Sequence, residues 1–310
     1  MNHWIVLSWR VLVIISIVLS ALAYQRGWRR LRTAAPTLAQ PLRFASFVAG
    51  ALCVIAALAS PLATLSQSHL LARTGQQVLL CMLAPPLIWL ACPFHNMAWG
   101  APSWLRRSLA HWFVRPSRLT PYLNTITQLG VVWLLFLCSF FLWHDPLLVN
   151  IAAEHPLVRT LSLLWLFLVA LLFWWQIVTT GPQRYTHHSP LARVAMLISV
   201  EIPNLATGIT LAFASTPIYL AYSNTFLTGA VDPTRPPVAD QFASGVLLWI
   251  VGSLIYVSSA ILVINQVFRR EGIEQAQPAA NWDAEDKFIA PGLEGRLFES
   301  DRERHDWEKH

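Results

Sequence analysis

The chain has 310 residues, is 55% hydrophobic, carries charge on only 12% of its positions and has a mean hydropathy of +0.48. Soluble domains carry about 25% charged residues, so the composition excludes both a single soluble domain and a largely disordered chain. The net charge of +6 comes from short basic clusters between apolar runs, not from an aromatic-interleaved patch, so it marks membrane topology and speaks against nucleic acid.

Seven apolar segments each approach the length of about 20 residues that a helix needs to cross a hydrocarbon core. The sequence therefore predicts an all-α bundle of seven transmembrane helices. They fall near Trp4 to Tyr24, Phe44 to Leu62, Thr74 to Cys92, Leu123 to Trp143, Val158 to Val178, Leu191 to Phe213 and Gln241 to Phe268. A phrase ending the first run, Ser20-Ala21-Leu22-Ala23, resembles a signal-peptide cleavage site. The positive charges follow that run instead of preceding it, so an uncleaved span is expected. Arg26, Arg29, Arg30, Arg32, Arg43, Arg106, Arg107, Arg115, Arg118, Arg184, Arg193, Arg269 and Arg270 fall on one side of such a bundle. Only Arg10, Arg73, Arg159 and Arg235 fall on the other. The positive-inside bias then places the N-terminus outside and the C-terminus in the cytoplasm. Residues 1–270 form the transmembrane domain in this reading, and the polar stretch 271–310 forms a cytoplasmic tail with a weak amphipathic signal from Trp282 to Phe298.

Polar groups inside apolar spans are costly and so are candidate sites. Glu201 lies in Ser199-Val200-Glu201-Ile202-Pro203-Asn204, with Thr207 beyond it. Pro203 removes a backbone donor and is expected to bend the sixth span. Glu201 and Asn204 would form a proton or cation site there, or would tie two helices by hydrogen bonds, the commoner use of such groups. Gln76 and Gln77 open the third span and are expected to bond neighbouring helices. Pro85-Pro86 in the same span should bend it and leave carbonyls free.

The side expected outside gathers His69, His144, Asp145, Glu154, His155, Asp232 and Asp240. His69, His144 and His155 with carboxylates could ligate Cu(II) or Zn(II). No two of these histidines have the i, i+4 spacing of a helical ligand pair, and ordinary surface histidines are the stronger expectation. His187-His188 reads as a surface loop. Cys53, Cys81, Cys92 and Cys138 lie in or at the ends of apolar runs and read as packing residues. No phosphate loop, dinucleotide fingerprint, nucleophile elbow or H-E-x-x-H appears, so no enzymatic activity is expected.

Several phrases in order carry a family resemblance. They are Ser60-Pro61-Leu62, Ala84-Pro85-Pro86-Leu87, Cys92-Pro93, Trp143-His144-Asp145-Pro146, Leu172-Phe173-Trp174-Trp175, the stretch from Ala212 to Tyr219 that contains Pro217, and Asp240-Gln241 with Trp249. Over roughly residues 45 to 268 this set resembles the CtaG family of cytochrome c oxidase assembly factors. The resemblance implies a multi-pass protein of the bacterial inner membrane that helps mature a haem–copper oxidase. It also implies oxidase subunits or copper carriers as partners, a chaperone-like role, and copper as the candidate cargo. The family carries two histidines four apart ahead of the Ala-Pro-Pro phrase, and those places hold Arg73 and Gln77 here. A Glu-His pair of the family falls on Ser162 and Leu163. His144 is retained. Arginine and leucine cannot ligate a cation. The implied roles are thus an assembly scaffold, or copper handling that uses His69 and His155 instead. A small-solute or ion transporter centred on Glu201, or a ligand-free membrane scaffold, are the alternatives.

Overall fold

The computed structural model describes residues 2–34, 40–102, 125, 127–180, 189–227 and 237–276. Expectations placed on His187-His188, Asp232, Arg235, the cluster from Arg106 to Arg118, Arg184 and the tail beyond 276 lie outside the described residues. All described regular structure is helical.

The elements are α1 (Asn2–Ala34), α2 (Pro41–Leu58), the short α3 (Leu62–Leu65), α4 (Leu70–Gln77), α5 (Ala84–Leu90), α6 (Pro93–Gly100), α7 (Leu129–His144), α8 (Pro146–Glu154), α9 (Pro156–Val178), α10 (Pro190–Phe213), α11 (Leu220–Leu227), α12 (Pro237–Val246) and α13 (Gly252–Ala276). Two π-helical segments, Val78–Leu83 and Leu247–Val251, join α4 to α5 and α12 to α13. Prolines open α2, α6, α8, α9, α10 and α12. A proline is favoured at the first helical position, because the missing N–H has no intrahelical acceptor there. Ser189 caps α10 by accepting from the Ala192 N–H at 3.2 Å.

Among the described residues, five helices are long and apolar enough to cross a membrane, or up to seven if each of two bent pairs counts as one span. One pair is Leu70–Leu90 with α6, bent by 62°, and the other is α7 with α8, bent by 68°. The bends fall where the expected third and fourth spans end, at Cys92 and just after Trp143, and a short helix follows each turn. At Cys92 the turn uses a left-handed residue, φ 51°. The first expected span continues as one helix through Ala23 and the basic cluster to Ala34. Pro203 does not interrupt α10, which runs unbroken across it.

The chain divides into two units, 1–263 and 264–310. The second begins within α13, whose last described residue is Ala276. In the first unit the core gathers Leu80, Met82, Phe173, Trp174, Leu197 and Leu248. Leu19, Leu52, Leu134, Phe141, Ile202 and Leu254 face outward instead. A bundle that is apolar inside and out suits a lipid solvent.

Two features lock the bundle. Pro85 has no N–H to offer the Cys81 carbonyl, and the Trp174 indole donates to that carbonyl at 2.7 Å instead. Trp174 also stacks on Tyr256 at 5.9 Å. Between α10 and α12 the backbones nearly touch: a Cβ added to Gly245 would lie 2.4 Å from the Ala212 nitrogen. Small residues permit such crossings in membranes, where close packing replaces the hydrophobic drive.

Candidate functional site at the His144 end of the bundle

One end of the bundle is closed by α3, α8, α11 and the loop 214–219, and side chains from the long helices pin each piece. Asp240 on α12 accepts from the N–H groups of Leu70 (2.6 Å) and Leu71 (3.4 Å), which open α4. A carboxylate there satisfies donors that the helix cannot. Gln241 is buried; its Oε1 accepts from Ile218 N at 2.7 Å and its Nε2 donates to the Thr216 carbonyl at 3.3 Å. The two bonds clamp the loop around Pro217. Tyr219 donates its hydroxyl to the His144 carbonyl at 3.0 Å, and burial pushes that hydroxyl up to about 12. Tyr222 donates to the Ser66 carbonyl at 3.1 Å, and Asn150 on α8 accepts from Ala221 N at 3.1 Å. Asp145 caps α8 through the N–H groups of Leu147 (2.9 Å) and Leu148 (3.1 Å), with Pro146 at the first helical position.

Arg73 is the least expected member. It is 7% exposed, donates to the Trp143 carbonyl at 3.1 Å, and lays its guanidinium over the Trp143 ring at 4.4 Å. Stacking and a carbonyl acceptor suit the planar, weakly hydrated arginine head. The neighbouring His144 donates Nδ1–H to the Phe140 carbonyl at 2.8 Å, one turn back, and among the described residues Nε2 has no hydrogen-bond partner. Gln76 donates to the Ala57 carbonyl at 2.5 Å, tying α4 to α2 as expected of an interhelical amide. Gln77 is buried.

The three histidines do not converge. Among the described residues no group of three or more His, Cys, Asp or Glu is placed to hold a metal ion. His69 precedes α4 with Nδ1 2.9 Å from Ser68 Oγ. His155 is exposed where α8 gives way to α9. The carboxylates of Asp145 and Asp240 serve as helix caps.

Glu201 joins α10 to α13. Its Oε1 accepts from the Ser253 hydroxyl, and its Oε2 from Asn204 Nδ2 at 3.1 Å. Asn204 Nδ2 also approaches the Leu248 carbonyl at 3.3 Å, inside the second π-helical segment. A Cβ on Gly252 would lie 2.5 Å from Asn204 Nδ2, so glycine makes room for the amide.

A sequence profile of the cytochrome c oxidase caa3 assembly factor family (Caa3_CtaG) matches residues 22–270. The chain belongs to this family. No curated protein and no solved structure matches it. In this caa3 assembly factor the phrases that carried the resemblance are largely the fastenings of one end of the bundle: Trp143 under Arg73, Asp145 and Pro146 opening α8, Pro217 and Tyr219 in the clamped loop, and Asp240 and Gln241 holding α4 and that loop. Sequence reading passes over Asn150 and Tyr222, which fasten the same end, and Ser253, which bonds Glu201. They are common residue types without a motif. Arg73 does carry a signal, a charge at the start of an apolar span, but the resemblance marks it only as a missing histidine.

Proposed function

We propose that this caa3 assembly factor works as a non-enzymatic, multi-pass scaffold of the bacterial inner membrane. Seven crossings put the N-terminus and the His144 end outside and the C-terminus in the cytoplasm. The chain meets oxidase subunits through that end and does not itself carry their copper. Arg73 is the observation that supports this most. A fixed cation stacked on Trp143 repels a metal ion beside the one retained histidine, and His144 has one nitrogen to offer. Cu(I) and Cu(II) need at least a second ligand to be passed on without loss. The buried fastenings favour a shape that a partner can read over a flexible site that opens to cargo.

Deletion of the gene is the direct test, with oxidase subunit association followed by native gel and haem spectra, with and without added copper. The expected result is an assembly defect that copper does not repair. Repair by copper would overturn the scaffold reading and return the copper-carrier role. Purified protein is expected to hold less than one tightly bound copper per chain, and stoichiometric, chelator-resistant copper would argue the same reversal.

A further inference from the structure

A small polar cleft of about 40 Å³ opens between α1, α9 and the segment joining α2 to α4. One water needs about 10–15 Å³, so the cleft takes a group larger than a single water. Arg10 and Arg159 line it, with Ser66, Gln76 and Thr160, and with Leu58 and Leu163 as apolar wall. Arg10 donates to Thr64 Oγ1 at 2.7 Å. Among the described residues, the Arg159 guanidinium has no hydrogen bond or ion pair. The Ser66 and Thr160 hydroxyls already donate to backbone carbonyls, of Ala63 (3.2 Å) and Pro156 (2.9 Å). Among the described residues the cleft thus presents two cations, uses up its hydroxyl donors, and holds no carboxylate.

Its depth narrows the ligand. Leu58 ends the apolar stretch of the second span, Arg159 sits within the first turn of α9, and Arg10 of α1 reaches the same cleft. Side chains at the ends of spans reach headgroup level. This is also the side of the bundle on which the chain places few arginines, yet two of them meet here. Leu157, Leu161 and Leu164 are exposed on the same end of α9, an apolar surface of the kind acyl chains contact.

We propose that Arg10 and Arg159 form a binding site for the phosphate group of an anionic lipid headgroup. Two guanidinium forks from different helices suit a tetrahedral oxyanion, which accepts from both at once. A headgroup bound there would bridge α1 to α9. The inference rests on the bundle lying in a bilayer and not on the oxidase role.

The test uses the full chain purified in detergent. Native mass spectrometry measures retention of phosphatidylglycerol against phosphatidylcholine, and calorimetry measures inorganic phosphate. Preferential, saturable retention of phosphatidylglycerol is expected. Arg159→Gln and Arg10→Gln should each lower it about tenfold or more, as loss of charge-assisted bonds implies, and Arg10→Lys should lower it less. Heat from free phosphate, abolished by the same variants, supports the site and shows that phosphate alone suffices. Retention of the lipid without such heat supports it and assigns the ligand to the membrane. Equal retention of the two lipids with no phosphate binding overturns the proposal, and so does unchanged retention in both glutamine variants. Should those variants fail to fold, the lipid preference of the unaltered chain decides.

Discussion

Replacing Arg73 by methionine keeps the stem and removes the charge. The substitution takes away a charge-assisted bond to the Trp143 carbonyl and the ring stack at 4.4 Å. The first contributes about 1.5–3 kcal/mol and a desolvated cation–π interaction up to about 2 kcal/mol. Removing a buried charge returns part of that as relieved desolvation, which leaves an expected net loss of about 1–3 kcal/mol. Trp143→Leu removes the ring but keeps the carbonyl. A double-mutant cycle therefore isolates the stack, with an expected coupling of about 0.5–2 kcal/mol. The measurement is unfolding of the purified protein in mixed micelles with increasing anionic detergent. Coupling indistinguishable from zero, or a methionine variant as stable as the parent, would falsify the placement of Arg73 against Trp143.

Three further outcomes are expected. Asp240→Ala removes the acceptor for the first donors of α4 and should cost about 1 kcal/mol in the same assay, with faster hydrogen exchange at Leu70 and Leu71; unchanged exchange there would contradict the capping role. Gly245→Leu drives side-chain atoms into the Ala212 backbone, so about 1–3 kcal/mol or more of stability should be lost, and a fully stable variant would show that the α10–α12 crossing is looser than 2.4 Å implies. Glu201→Gln keeps an acceptor toward Ser253 but sets an N–H2 against Asn204 Nδ2, so it should cost less than Glu201→Leu, which strands the Ser253 donor and should cost about 1–3 kcal/mol. A change of ion flux in vesicles with the glutamine variant would instead favour the transporter reading.

The sequence by itself determined the helical class, the positions of the apolar runs and the family. These follow from properties that act locally or in order along the chain: hydropathy over about 20 residues, prolines that open helices, and phrases in fixed succession. It also showed that Pro85 would leave a carbonyl to be satisfied, because a missing N–H is visible in the residue name. It did not show that Trp174, far along the chain, would satisfy it. Nor did it show that Asp240 and Asp145 cap helices instead of waiting for a metal, or that His69, His144 and His155 stay apart. It placed the ends of the third and fourth spans at the two bends but not the short helices that follow them, since α6 and α8 are too short to register as apolar runs. Tertiary structure decided these points because buried donors and acceptors must pair with whatever the fold brings within about 3 Å, and that pairing crosses from helix to helix. Arg73 shows the division most clearly: its charge is plain in the sequence, but only the approach of α7 to α4 gives it the carbonyl and the ring of Trp143 that let it remain buried.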